Sequence, residues 1–107
     1  MPKQPDPKRC DEWVVYRVKP DCENDFAKAH EAVHRELKKM EGFLGLETMR
    51  SLSDPLLRLD RVAWSDPRTA KAAYAAFQTL AVAKAFMAKV ASVAFSGHFL
   101  PLEREDE

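Results

Sequence analysis

The sequence predicts an α+β fold of the ferredoxin-like split βαβ type, a four-stranded antiparallel sheet with helices on one face. Two observations carry that prediction. The apolar pattern switches between strand and helix periodicity in the order β-α-β-β-α-β, with the second helical region split in two. Turn-forming residues fall at the switches: Lys19-Pro20-Asp21, Gly42, Ser53-Asp54-Pro55 and Asp66-Pro67. A third observation concerns assembly. The first strand is apolar on both sides, whereas a strand with one face in water should show polar residues there. The chain has no spare element to cover the second sheet face, so a second copy of the chain is the expected cover.

The elements follow in order. Residues 12–18 (EWVVYRV) are rich in β-branched and aromatic side chains and form the first strand, stopped at Lys19-Pro20. The first helix starts with Asp21 as N-cap, and Glu23 and Asp25 place negative charge at its positive end. Phe26, Ala29, Val33, Leu37 and Met40 form its apolar stripe, and Gly42 is the expected C′ residue. Residues 43–52 and 56–64 make a hairpin around Ser53-Asp54-Pro55. Asp66 as N-cap and Pro67 at N1 open the second helix, with Ala70, Ala73, Tyr74 and Phe77 inward. A third helix spans about 80–90, and residues 94–102 (AFSGHFLPL) form the last strand.

Composition bounds the rest. Apolar residues are 46% of 107, enough for one core, so the expected organisation is one domain at 11–102. Residues 1–10 are expected to be a disordered tail, and residues 103–107 an acidic one. Lys plus Arg and Asp plus Glu number 17 each, a balance that argues against nucleic-acid binding. No apolar run approaches the roughly 20 residues of a membrane span, and the N-terminus lacks a secretory signal's apolar stretch. Cys10 and Cys22 flank the first strand, too far apart for a disulfide. Free thiols point to a cytoplasmic protein.

The residues that could carry chemistry are few. His30, Glu31 and His34 spell H-E-x-x-H within HEAVH, the pattern of zinc peptidases. A zinc hydrolase needs a third ligand and an open position for water. No downstream histidine follows at a known spacing, and His98 on the last strand is the only other one. No metal site is therefore expected. His30 still borders the apolar stripe, where an imidazole can act as a base near neutral pH, so it is the candidate catalytic residue. Trp64, Tyr74, Phe86 and His98 join His30 as candidate pocket lining for a flat ligand, with Ala70, Ala73 and Ala83 leaving room beside them. Arg58, Asp60 and Arg61 interrupt the third strand; cross-strand pairing with Glu47 or Arg50, or a polar site, would account for them.

The element order, the K-P after the first strand, EGFLGLE at 41–47, WSDP at 64–67 and KAF at 84–86 resemble the antibiotic biosynthesis monooxygenase family. The resemblance covers residues 12–102. It implies the dimeric α+β barrel, a homodimer with two sheets packed face to face, and a pocket in each subunit between sheet and helices. Some members oxidise quinols or polyketide aromatics with oxygen and no metal or prosthetic group. A related branch degrades haem with an asparagine on strand one, a tryptophan on the second helix and a histidine on the third. This chain has no strand-one asparagine, Tyr74 stands where many members carry a histidine, and residues 80–82 lack the P-H dipeptide. Haem degradation is not expected. The resemblance implies a cofactor-independent monooxygenase acting on a quinol or polycyclic phenol. The alternative is a non-catalytic small-ligand-binding or stress-associated dimer with the same pocket.

Overall fold

The computed structural model describes residues 9–103. The elements are β1 (Cys10–Val18), a short 3-10 turn (Pro20–Cys22), α1 (Glu23–Leu37), β2 (Phe43–Arg50), β3 (Leu57–Trp64), α2 (Pro67–Phe77), α3 (Ala81–Met87) and β4 (Val90–Phe99). The sheet order is β2-β3-β1-β4, and every neighbouring pair is antiparallel. This is the split βαβ arrangement: β3 inserts between β1 and β2, and β1 between β3 and β4. Apart from Arg9 and Cys10, the expected tail at 1–10 lies outside the described residues, as does the acidic tail beyond Glu103. Cys10 already belongs to β1 and is buried; both cysteines are free thiols.

Several boundaries differ from the sequence reading, each for a physical reason. Asp21 does not cap α1. Pro20–Cys22 first makes a 3-10 turn, and Cys22 is the N-cap without a side-chain bond. Asp66 does cap α2, accepting from the Thr69 amide at 2.7 Å with Pro67 at N1. Gly42 is not C′ of α1, which ends at Leu37, but it takes the left-handed conformation (φ 85°) in the turn into β2. A Cβ there would also collide with the Thr69 side chain. Val90 lies four residues after Phe86, so it extends the helical stripe in sequence. In the fold it opens β4 opposite Val18, and α3 is one short helix. β4 therefore begins and ends earlier than 94–102.

Strand alternation divides the sheet. The even residues of β1 (Glu12, Val14, Tyr16, Val18) face the helices, with Asp60, Val62 and Trp64 of β3 beside them. The core sits there: Tyr16, Val18, Phe26, Val33, Trp64, Ala70 and Phe86 are buried. A bulge lies where β4 shifts register, Val15 pairing with Phe95 and Tyr16 with Val93. It turns Val93 toward the helices and Phe95 to the opposite face, which no residue of this chain's described segment covers.

Candidate functional site

Between sheet and helices lies a cavity of about 340 Å³. β1 and β3 supply its floor through Glu12, Val14, Tyr16, Asp60, Val62 and Trp64. Helices α1, α2 and α3 form the walls, Ala73, Tyr74, Ala83 and Phe86 among them. The small alanines sit where a larger side chain would fill the space. Gln78, Lys84 and Ser96 add polar groups to the lining.

The floor is not uniformly apolar. In register, Cys10 faces Trp64, Glu12 faces Val62, Val14 faces Asp60 and Tyr16 faces Arg58. The polar members thus alternate between strands, with Val14 and Val62 interposed. Three buried polar side-chain atoms lack a hydrogen-bond partner in the protein among the described residues: the Tyr16 hydroxyl, Asp60 Oδ1 and Trp64 Nε1. All three residues line this one cavity. Tyr16 and Trp64 are each 1% exposed. Leaving such atoms unmatched costs on the order of 1–3 kcal/mol each. Burial first, then the nearby Asp60 charge, pushes the Tyr16 hydroxyl far above its ordinary ionisation range. A side-chain interaction with Asp60 at hydrogen-bond range adds to that shift, although the pair falls short of full hydrogen-bond geometry. Burial and the Asp60 charge likewise hold the Glu12 carboxyl above the ordinary carboxylate range.

The other oxygen of Asp60 is taken. His30 on α1 places Nε2 3.0 Å from Asp60 Oδ2 and 3.2 Å from Thr48 Oγ1. A carboxylate only accepts, so Nε2 carries the hydrogen in this pair. The imidazole packs against Phe26 and Phe86, centroids 5.7 and 5.9 Å away.

The sequence-derived candidates divide as follows. Trp64, Tyr74 and Phe86 line the cavity. His30 stands behind it and reaches it through Asp60. His98 is outside the lining and touches it through Tyr74, the two rings edge-on at 5.8 Å. The two histidines of HEAVH part company: His30 turns to Asp60, and His34 packs on Phe43 at 5.9 Å. Burial, then the Lys38 and His30 charges, lower the His34 pKa. Among the described residues, no three His, Cys, Asp or Glu side chains converge as metal ligands.

The charges of β3 also separate. Arg61 donates to its cross-strand partner Glu47 and to Asp11, both at 3.3 Å, on the uncovered face. Arg58 lies over the Phe26 ring, donates to the Pro55 carbonyl at 2.7 Å and stands 3.6 Å from Glu23. Asp60 goes to the cavity. Glu12 and Tyr16 escaped the sequence reading as site residues. Their signal was phase: an acid at 12 in step with Val14, Tyr16 and Val18 must share the covered face.

A family model described as "Antibiotic biosynthesis monooxygenase" matches residues 13–89. The chain belongs to this family. Among solved structures, a provisionally named antibiotic biosynthesis monooxygenase from Bordetella bronchiseptica superimposes with a TM-score of 0.75 at 19% identity, over 90% of this chain and 99% of that one. SnoaB, a cofactor-independent oxygenase from Streptomyces nogalater, gives 0.74 at 17% identity, over 92% and 96%. A conserved protein from Methanosarcina mazei Go1 gives 0.70 at 13%, over 92% and 96%. At these identities the likeness shows the fold shared across the antibiotic biosynthesis monooxygenase family, not an activity. No curated protein matches. Within the family frame, no helix among the described residues is long and apolar enough to cross a membrane.

Proposed function

We propose that this chain is a cofactor-independent monooxygenase for a quinol or polycyclic phenol, working as a cytoplasmic homodimer. The observation that carries the reading is the convergence of every partnerless buried polar atom named above on one largely apolar, alanine-walled cavity. Hydrocarbon walls suit a flat ring system, and the stranded donors and acceptor suit its oxygen substituents. A phenol with a free ring position can react with one O₂ to give a quinone and one water. One oxygen atom enters the ring, two hydrogens leave, and the substrate supplies all the electrons. No metal or prosthetic group is needed for that balance. Trp64, Tyr74 and Phe86 hold the rings, His98 steadies Tyr74, and His30 acts through Asp60. The uncovered sheet face, with Trp13, Val15, Leu59, Phe95 and Phe99 on it, is covered by a second copy.

A second reading, a ligand-binding or stress-associated dimer without turnover, draws on the absence of a histidine at Tyr74 and at 80–82. Oxygen uptake and quinone formation against a panel of quinols and polycyclic phenols, beside thermal shifts with the same compounds, separate the two. Oxygenase activity predicts equimolar loss of oxygen and gain of quinone, abolished by Ala73→Leu or Ala83→Leu, which fill the cavity. Thermal shifts without oxygen uptake would leave the binding reading. Substitutions that cost more than about 2 kcal/mol of stability with no ligand present would mean the space is packed core, and both readings fall.

A further inference from the structure

Asp60 sits in the middle of β3, on the face the helices cover, where an apolar residue would be expected. Its side chain is 14% exposed. Of its two oxygens, Oδ2 is held by His30 at 3.0 Å, and Oδ1 is buried with no partner at full hydrogen-bond geometry among the described residues, the Tyr16 hydroxyl being its near neighbour. We propose that Asp60 is the catalytic base that takes the hydroxyl proton of the bound aromatic, and that His30 is a positioning residue fixing its other oxygen. The proposal rests on the cavity reading above and names the residues that perform its first step.

The hydrogen-bonding character of the stranded atoms defines what fits. Asp60 Oδ1, as carboxylate, can only accept, so the ligand must bring a donor there. Trp64 Nε1 can only donate, so the ligand must also bring an acceptor. The Tyr16 hydroxyl serves either way. Tyr16 lies diagonal to Asp60 across β1 and β3, and Trp64 lies four residues along β3 from Asp60, about 13 Å at strand rise. Donor and acceptor demands therefore fall toward opposite ends of the floor, with Val62 between them on β3 and Val14 beside Asp60. A hydrocarbon meets neither demand. A quinone meets the Trp64 demand but sets an oxygen lone pair against Asp60. A phenol carrying a second oxygen meets both, so the site holds substrate better than the oxidised product.

Proton transfer in this setting conserves charge. The ligand O–H bond breaks, its electron pair stays on the ligand oxygen, and a new O–H forms on Asp60 Oδ1. The negative charge moves from carboxylate to ligand without creating a second ion in an apolar cavity, the costly alternative. Glu12, the second carboxyl on the floor, is held toward its neutral form by burial and by Asp60. Among the described residues Asp60 Oδ1 is a buried carboxylate oxygen without a partner at full hydrogen-bond geometry, and no Glu12 oxygen is, which assigns the base's role to Asp60. His30 is spent on Oδ2, packs on Phe86 and is not among the residues lining the cavity, so it orients and does not touch the ligand.

The test uses two flat probes stable in air, 2-hydroxyanthraquinone and its methyl ether, titrated into the full chain by quenching of tryptophan fluorescence. The wild type should prefer the hydroxyl compound by on the order of tenfold or more, the size of a hydrogen bond to a charged group. Asp60→Val should erase the preference and keep the methyl-ether affinity; Asp60→Asn, matched in shape, serves if the valine variant does not fold. His30→Phe should lose most of the preference, and His30→Gln, whose amide can still donate to Oδ2, should restore it. A purely structural histidine would change both affinities together and leave their ratio intact. If both probes bind the wild type equally, or if the preference survives in Asp60→Val and Asp60→Asn, the base assignment is overturned while the cavity reading stands. If neither probe binds, the cavity reading fails and the assignment fails with it.

Discussion

The helix-covered face of the sheet holds buried polar atoms without partners at full hydrogen-bond geometry among the described residues; the opposite face carries no helix and presents apolar side chains to solvent. On the first, Tyr16, Asp60 and Trp64 carry the stranded atoms. On the second, Met49, Phe95 and Phe99 are 46%, 47% and 46% exposed, and Trp13, Val15, Leu57 and Leu59 are half-buried between them. Gly97 leaves room there for the Phe95 and Phe99 rings, 5.8 Å apart. An ion-pair network of Arg9, Asp11, Arg61 and Glu47 crosses the same face. Each face departs from the single-chain optimum, in opposite directions. Polar atoms stranded inside call for a ligand with complementary oxygens, and apolar surface exposed outside calls for another apolar surface. Under the proposed function, the stability given up in these two places serves two different kinds of binding.

The comparison breaks most completely at the open face. Leu59→Lys puts a charge at the centre of the proposed interface. We expect a sedimenting species of about 24 kDa, twice the 12.2 kDa chain, to become a 12.2 kDa monomer. A wild type already monomeric at micromolar concentration would remove the barrel assembly. Next in size is a pair of truncations. Phe86→Ala, in the buried cluster with Tyr16 and Phe26, should cost about 3–5 kcal/mol in denaturant unfolding. Phe95→Ala, on the open face, should cost the monomer far less and show its effect in the dimer dissociation constant. Equal costs would mean the two faces are not energetically distinct.

A smaller effect sharpens the covered side. Tyr16→Phe deletes a buried hydroxyl that meets no partner at full hydrogen-bond geometry among the described residues, so the ligand-free protein should gain about 1 kcal/mol while binding of 2-hydroxyanthraquinone weakens. A loss of stability would show that the hydroxyl is already satisfied. The smallest expected effect concerns Glu12. Its folded pKa is raised by burial and by Asp60, so the fold favours its protonated form. That contribution is complete below the ordinary glutamate value and is lost as pH rises through the folded value. Glu12→Gln should therefore raise the melting temperature at about pH 8 and leave it unchanged at about pH 4. The reverse trend would place Glu12 in an ion pair.

Much of the architecture was legible because strand and helix periodicities are local. The order of elements, the Asp66-Pro67 helix start and the doubly apolar β1 are written in adjacent residues. Boundaries failed where one residue satisfied two patterns. Val90 continues the helical spacing from Phe86 and also pairs with Val18, and only the sheet decides between them. The site was legible in part. Trp64, Tyr74 and Phe86 follow from aromatic positions at the end of the third strand and on the helices after it, but Asp60 stood with Arg58 and Arg61 as either a cross-strand pair or part of a polar site, a choice that only the hairpin register decides.

The sequence by itself determined which residues share a face, because side-chain direction follows from backbone period alone. It thereby placed Glu12 with Tyr16, Asp60 with Trp64, and Trp13 with Val15. What only the tertiary structure decided is the register between strands and the helix laid across them. That register sends Arg61 to Glu47 on the open face and sets Asp60 diagonal to Tyr16. The crossing of α1 brings His30, thirty residues away in sequence, onto Asp60 Oδ2. Contacts of that separation depend on how whole elements dock, and the sum of many weak packing terms fixes docking where no local pattern can.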